Sequence, residues 1–216
     1  MSERWIFVDL DGPVLDVSAR YHRLHVDLVQ QYGGWPFPLS VYWDCKRRRV
    51  PEMEILLRCG LSEAMAVEAE DLRREVIESP ESLELDVPWP WVGEALTELE
   101  GFGRLALVTL RSHPEHLRAQ FRRHPLELFF REILAGRGDG TPRAKAAMIR
   151  RSGLPFDPGS VLIGDTEVDI ESGRALGIRT VALTCGIRVP ELLESCGPDV
   201  VLEDLRQVPG WLEGLP

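Results

Sequence analysis

Asp9 and Asp11, one residue apart, follow the apolar run Trp5-Ile6-Phe7-Val8, and Gly12 comes directly after them. Two carboxylates at that spacing can divide the labour of group transfer. Asp9 can attack an electrophilic phosphorus as a covalent nucleophile. Asp11 can protonate the leaving oxygen and then deprotonate the water that clears the intermediate, while Gly12 permits a tight turn beyond them. Thr109 closes a second apolar run, Arg104 to Thr109 (RLALVT), where its hydroxyl and the next backbone N–H can hold a phosphate oxygen. Lys145 brings an ammonium able to neutralise both the Asp9 carboxylate and a transferring phosphoryl group, with Arg143 as its local competitor. A third apolar run ends in Gly164-Asp165-Thr166-Glu167-Val168-Asp169. Asp165 is placed to share a hard divalent cation with Asp9. Asp169 can help through a water or by orienting Lys145, and Glu167 suits a helix N-terminus.

Each of these groups ends an apolar run or opens the segment after it, so the elements that position them can be read outward. Trp5 to Val8, Arg104 to Thr109, Ser160 to Gly164 and Ile178 to Leu183 lack polar alternation, as strands buried on both faces do. Ile133 to Ala135 and Asp199 to Leu202 are shorter strand candidates. Helical stretches lie between them, from His113-Pro114 to Arg123, from Pro142 to Ser152 with a stop at Gly153, and from Asp169 to Leu176. A short helix closes near Trp211. Alternation of this kind implies an α/β fold, a Rossmann-like parallel sheet covered on both faces, with ligands outside the carboxyl ends of the strands.

Residues 18–90 read differently. Ala19 to Tyr32 and Ser62 to Glu78 look helical, the loops between are rich in Gly, Pro and Trp, and no strand pattern stands out. The expectation is a helical cap over 18–90 inserted into a core made of 1–17 and 91–216. His22 and His25, on one face of the first cap helix, read as surface residues, and the five histidines form no metal pattern with cysteines.

Formal net charge is -10, from 35 acidic against 25 basic residues, a balance that repels nucleic acid and anionic lipid. No run approaches the roughly 18 apolar residues of a membrane helix, and Met1-Ser2-Glu3-Arg4 leads into the first strand without a secretory signal. Cys45, Cys59, Cys185 and Cys196 show no C-x-x-C pair, which reads as reduced thiols in a cytoplasmic protein.

Taken in order, Asp9/Asp11, Thr109, Lys145 and Asp165/Asp169 resemble the four signatures of the haloacid dehalogenase superfamily, in the branch with a helical cap. The stretch from Gly186 to Leu205 is similar to the tail of phosphoglycolate phosphatase-like members. The resemblance implies a Mg2+ cofactor held by Asp9, Asp11 (through its backbone carbonyl), Asp165 and Asp169, an aspartyl-phosphate on Asp9, and hydrolysis of a small phosphorylated metabolite. Two departures stand out. Pro13 replaces the threonine of D-x-D-G-T, which removes a hydroxyl and an N–H and alters the packing of the turn. Leu110-Arg111 follows Thr109 where small polar residues are more usual, which makes Leu110 and Arg111 candidate substrate contacts. In the cap, Trp43, Lys46 and Arg47 are candidates of the same kind, set against a solvated charge run over Lys46 to Arg49.

Asp11 favours phosphate esters, since dehalogenase and phosphonate-cleaving branches lack a second aspartate. A phosphomutase of the same superfamily shares the four motifs. A non-enzymatic, phosphate-responsive signalling module would also use Asp, Thr, Lys and magnesium on a parallel sheet. Such modules are shorter, with the aspartate on an interior strand. The chain is expected to act as a monomer or homodimer without nucleic-acid or membrane partners.

Overall fold

The computed structural model describes residues 4–138 and 140–215, so Met1, Ser2 and Glu3 of the N-terminal reading lie outside the described residues. The chain divides into two compact units, Met1–Leu15 with Pro88–Pro216, and Asp16–Val87.

In chain order the elements begin with β1 (Trp5–Val8), β2 (Leu15–Asp16), α1 (Ser18–Gln31), α2 (Leu39–Arg47), α3 (Glu52–Arg58), α4 (Glu63–Val76), α5 (Pro80–Leu83) and β3 (Val87–Pro88). There follow α6 (Val92–Glu100), β4 (Arg104–Thr109), α7 (Pro114–Arg123), a 3-10 turn at Leu126–Phe129, β5 (Glu132–Ala135), α8 (Ala144–Ser152), β6 (Val161–Gly164) and α9 (Glu167–Leu176). The chain closes with β7 (Arg179–Leu183), α10 (Pro190–Ser195), β8 (Val200–Leu202), a 3-10 turn at Leu205–Gln207 and α11 (Val208–Glu213).

Among the described residues, six strands form one sheet in the order β5-β4-β1-β6-β7-β8, and every neighbouring pair is parallel. This is the α/β sheet expected from the alternating runs. The apolar runs β1, β6 and most of β4 and β7 are buried, whereas the edge strands β5 and β8 are only partly covered. A run with no polar alternation has no face to offer water, so it settles inside with helices on both sides. Trp5, Phe7, Ala106, Val108 and Leu162 pack with Met148 and Ile149 of α8 into one apolar cluster.

Register then fixes the geometry of the strand ends. Val8 lies level with Leu107 on one side and Ile163 on the other, and the Asp9 N–H donates to the Ile163 carbonyl at 2.9 Å. Asp9, Thr109 and Asp165 therefore leave the sheet at one edge. The helix after Pro142 starts only at Ala144, because Thr141 Oγ1 accepts from the Arg143 N–H at 3.3 Å and sets the turn before it.

The second unit is helical, α1 to α5. Leu28 and Val29 pack with Leu56, Cys59, Leu61, Ala66 and Ala69. Arg20, buried on α1, pairs with the buried Asp86 at 3.0 Å. His25 is buried, which corrects its reading as a surface residue, and its ring stacks on Tyr42 at 4.3 Å between centroids. His25 Nε2 accepts from the Phe37 N–H at 3.0 Å while His22 Nε2 donates to the Phe37 carbonyl at 3.0 Å. The buried His25 and the half-buried His22 thus satisfy both backbone polar groups of Phe37 in an irregular loop, where those groups need partners. No helix of the described residues is long and apolar enough to cross a membrane.

Candidate active site

Four residues from three places in the chain, Asp9, Lys145 and the pair Asp165 and Asp169, meet at the carboxyl edge of the sheet. Lys145, on the first turn of α8, places Nζ 2.6 Å from Asp9 Oδ1 and 2.6 Å from Asp169 Oδ1. A lysine in the first turn of a helix opposes the helix dipole and needs carboxylates in return. Arg143, the competitor for this role, is exposed. Asp9 Oδ1 also accepts from the Leu10 N–H at 2.8 Å.

Asp169 has both oxygens in use. Oδ1 holds Lys145, and Oδ2 accepts from the Thr166 N–H at 3.1 Å and the Thr166 hydroxyl at 2.8 Å, closing the capping box of α9. That is the orienting arrangement weighed for it beside metal ligation. Glu167 instead pairs with Arg188 at 2.9 Å.

Asp165 is fully buried. Its Oδ2 accepts from the Ile187 N–H at 2.5 Å, and its Oδ1 is buried with no hydrogen-bond partner. Glycines crowd these carboxylates. A Cβ on Gly12 would stand 2.0 Å from Asp165 Oδ2, one on Gly186 1.9 Å from the same atom, and one on Gly164 1.9 Å from Asp169 Cγ. Gly186 and the Ile187 N–H were not singled out as site residues in the sequence, because a backbone donor has no residue signature.

The electrostatics follow from one cation among three buried carboxylates. Burial pushes the Asp9 carboxyl up to about 7; Lys145 pulls it down, and Asp169 and Asp11 add to the rise. Burial also holds Asp165 well above the usual carboxylate range, reinforced by Asp9 and Asp169. Burial alone would lower the Lys145 ammonium, but Asp169 and Asp9 outweigh it and raise it instead. Oxygens of Asp9, Asp165 and Asp169 lie within 4.8 Å of one another, and the unpartnered Asp165 Oδ1 is the donor that a bound cation would satisfy. The residues fit a hard metal ion.

Asp11 stands beside this cluster. Its Oδ1 accepts from Arg111 Nη2 at 2.7 Å and from Arg111 Nε at 3.2 Å. Gly12, at φ 96, turns the chain back so that its N–H donates to the Leu15 carbonyl at 2.9 Å and the Leu15 N–H to that of Leu10 at 3.0 Å. None of these bonds uses the N–H that Pro13 lacks. The Gly12 carbonyl accepts from Trp89 Nε1 at 2.7 Å, a brace that the sequence did not reveal. Thr109 is buried at the end of β4, its hydroxyl accepting from the Arg111 N–H at 3.4 Å.

The remaining candidates divide. Arg111 comes to Asp11, whereas Leu110 packs against the apolar cluster beneath the sheet. Trp43, Lys46 and Arg47 belong to the other unit. There Trp43 meets Tyr21 edge-on at 6.1 Å, and Lys46 pairs with Glu52 at 2.9 Å. Arg48 pairs with Asp44 at 3.0 Å, so carboxylates of the same unit already answer part of the basic run. Away from the strand ends, His113, Glu115 and His116 bring donor atoms within 4.8 Å of one another on the surface, a grouping the sequence reading did not pick out.

The model of the haloacid dehalogenase-like hydrolases matches residues 3–177. The chain belongs to that family. Among curated relatives of this hydrolase is the phosphoglycolate phosphatase of Pseudomonas syringae pv. tomato, 31% identical over 163 residues, which are 71% of this chain and 57% of that protein. The phosphoglycolate phosphatase of Aliivibrio fischeri is 28% identical over 93% of this chain and 92% of its own. A haloacid dehalogenase-like family hydrolase from Streptococcus pneumoniae shares the fold at a TM-score of 0.76 and 22% identity, covering 97% of this chain and 98% of its own.

Proposed function

We propose that this hydrolase is a magnesium-dependent phosphatase of small phosphomonoesters, with Asp9 as nucleophile and Asp11 as acid and base. The observation that carries the reading is the buried trio Asp9, Asp165 and Asp169 around the single ammonium of Lys145, with Asp165 Oδ1 left for a cation. The relatives named phosphoglycolate phosphatase support it.

Asp9, Asp165 and the backbone carbonyl of Asp11 would hold Mg2+, which supplies charge neutralisation for the carboxylates and for the phosphoryl oxygens. Lys145, kept charged by Asp9 and Asp169, sits against the attacking carboxylate and offsets the charge of an incoming phosphate. The free Asp9 oxygen attacks phosphorus while Lys145 and the Leu10 N–H hold the other. Asp11 gives its proton to the departing alkoxide. It then takes one from the water that attacks the acyl phosphate on Asp9, freeing inorganic phosphate and the Asp9 carboxylate, so the site returns to its starting protonation. The Thr109 hydroxyl, buried at the end of β4, anchors the loop that carries Arg111 and offers the phosphate a contact.

Hydrolysis of an aryl phosphate by purified protein tests this. Turnover should vanish with a chelator and return with Mg2+. Asp9→Asn should lower kcat by about a thousandfold or more while far-UV circular dichroism stays unchanged. Full activity in that variant would move the nucleophile elsewhere.

A further inference from the structure

Asp165 Oδ2 is held by a donor on a stretch that belongs to no strand or helix. The Thr184 and Cys185 N–H groups donate to the Leu202 and Glu203 carbonyls at 3.0 and 2.9 Å, and α10 starts only at Pro190. Residues 186–189 between them are irregular, and Gly186 gives that stretch more backbone freedom than any other residue would. The Ile187 N–H nevertheless reaches Asp165 Oδ2 at 2.5 Å. Beside it, Arg188 sends a fork across to the first turn of α9. Its Nε donates to Glu167 Oε2 at 2.9 Å and its Nη2 to Glu167 Oε1 at 3.2 Å, with the two side chains only 15% and 18% exposed. Glu167 lies two residues beyond Asp165. These contacts close a ring, from Asp165 through Glu167, across the ion pair to Arg188, and back through the Ile187 N–H.

We infer that Arg188 is a positioning residue for the cation site: its grip on Glu167 keeps the Ile187 N–H on Asp165, so that Oδ1 is set for a metal ion before the ion arrives. The inference rests on the magnesium reading of the site. Fixing Oδ2 fixes the plane of the carboxylate and with it Oδ1, the buried oxygen without a hydrogen-bond partner. Groups that orient a metal ligand from behind commonly change metal affinity by about 10–100-fold when removed. A guanidinium suits this work, because two parallel bonds to one carboxylate fix an angle where an ammonium fixes only a distance. The ring does not require either side chain to be confined to the other. Charge gives a discriminating sign. By Coulomb attraction alone, losing Glu167 would weaken the hold on a nearby cation, whereas losing Arg188 would strengthen it. A latch makes both losses weaken it.

Calorimetric titration with Mg2+ and amide hydrogen exchange followed by NMR read the two halves of the latch. Arg188→Gln and Glu167→Gln should each weaken Mg2+ binding by about tenfold. The double variant should lose less than the product of the two, as residues sharing one contact do. Arg188→Lys, which keeps the charge and loses the fork, should fall between wild type and Arg188→Gln. Without metal, Arg188→Gln should speed exchange of the Ile187 amide by about tenfold or more, while the amides of β6 stay protected. Unchanged or tighter Mg2+ binding by Arg188→Gln, or an unchanged Ile187 exchange rate, would overturn the inference. Wild type that takes up no Mg2+ would overturn the magnesium reading instead, and exchange measured without metal would still judge the latch. Should the glutamine variants not fold, Arg188→Lys decides: faster Ile187 exchange than in wild type supports the latch, and equal rates refute it.

Discussion

Asp165 shows most directly how a single side chain is tuned by what is left out around it. Gly12 and Gly186 approach its Oδ2 so closely that any Cβ would collide with the carboxylate, and the Ile187 N–H fixes the same oxygen. The other oxygen is buried without a hydrogen-bond partner. Gly186→Ala should therefore push Asp165 aside and remove cation binding while the sheet stays folded. Isothermal titration with Mg2+ would measure it, and retention of wild-type affinity would show that the glycine is incidental. Asp9, Asp11 and Asp165 stood out in the sequence as acidic residues just past apolar runs, and Lys145 as a lysine at the opening of a helix. The Asp11–Arg111 pair did not, because nothing local to either residue tells of a partner 100 positions away. Gly186 escaped for a different reason: its contribution is an absent side chain.

At the scale of the element, the strands were the most readable part. Arg104–Thr109 and Trp5–Val8 have the bounds that their apolar runs suggest, since burial on both faces leaves polar residues no place within them. Helix starts were less so. The helix read from Asp169 begins at Glu167, since Thr166 is its cap and Asp169 closes the capping box from the third position. Helix α1 gives the clearest miss, because periodicity does not say what lies over a polar face. His25 is held neutral, its pKa lowered from 6.5 to about 4 by burial, with His22 and Lys46 lowering it further and Glu52 opposing. The folded state binds the proton less readily than the unfolded one, so stability present above pH 6.5 should be lost as the pH falls toward 4. The loss amounts to roughly 3 kcal/mol for this one group. Protonation would also cancel the acceptor that Nε2 offers to the Phe37 N–H. Urea midpoints between pH 7.5 and 4.5 would show the slope, and His25→Gln should flatten it. An equally steep slope in that variant would place its source elsewhere.

For the molecule as a whole, the carboxylate cluster makes stability depend on the cation. Three buried acids share one lysine, so an ion that binds only the folded chain should stabilise it by about 2.7 kcal/mol at a hundredfold excess over Kd, roughly 5–10 °C in Tm. Thermal melts with Mg2+ and with a chelator would measure the gap; identical curves would count against a built cation site. The strand order has a consequence in time as well. Residue 8, next to the proposed nucleophile, pairs with residues 107 and 163, so the innermost strand is made first and waits longest for its neighbours. At ribosomal rates of about 5–20 residues per second, that wait lasts on the order of ten seconds. The helical residues 16–87 emerge in between and can collapse on their own apolar cluster. A nascent chain thus carries Asp9 well before it can use it, and competence arrives late and all at once, when β6 and the Gly186 loop have left the ribosome.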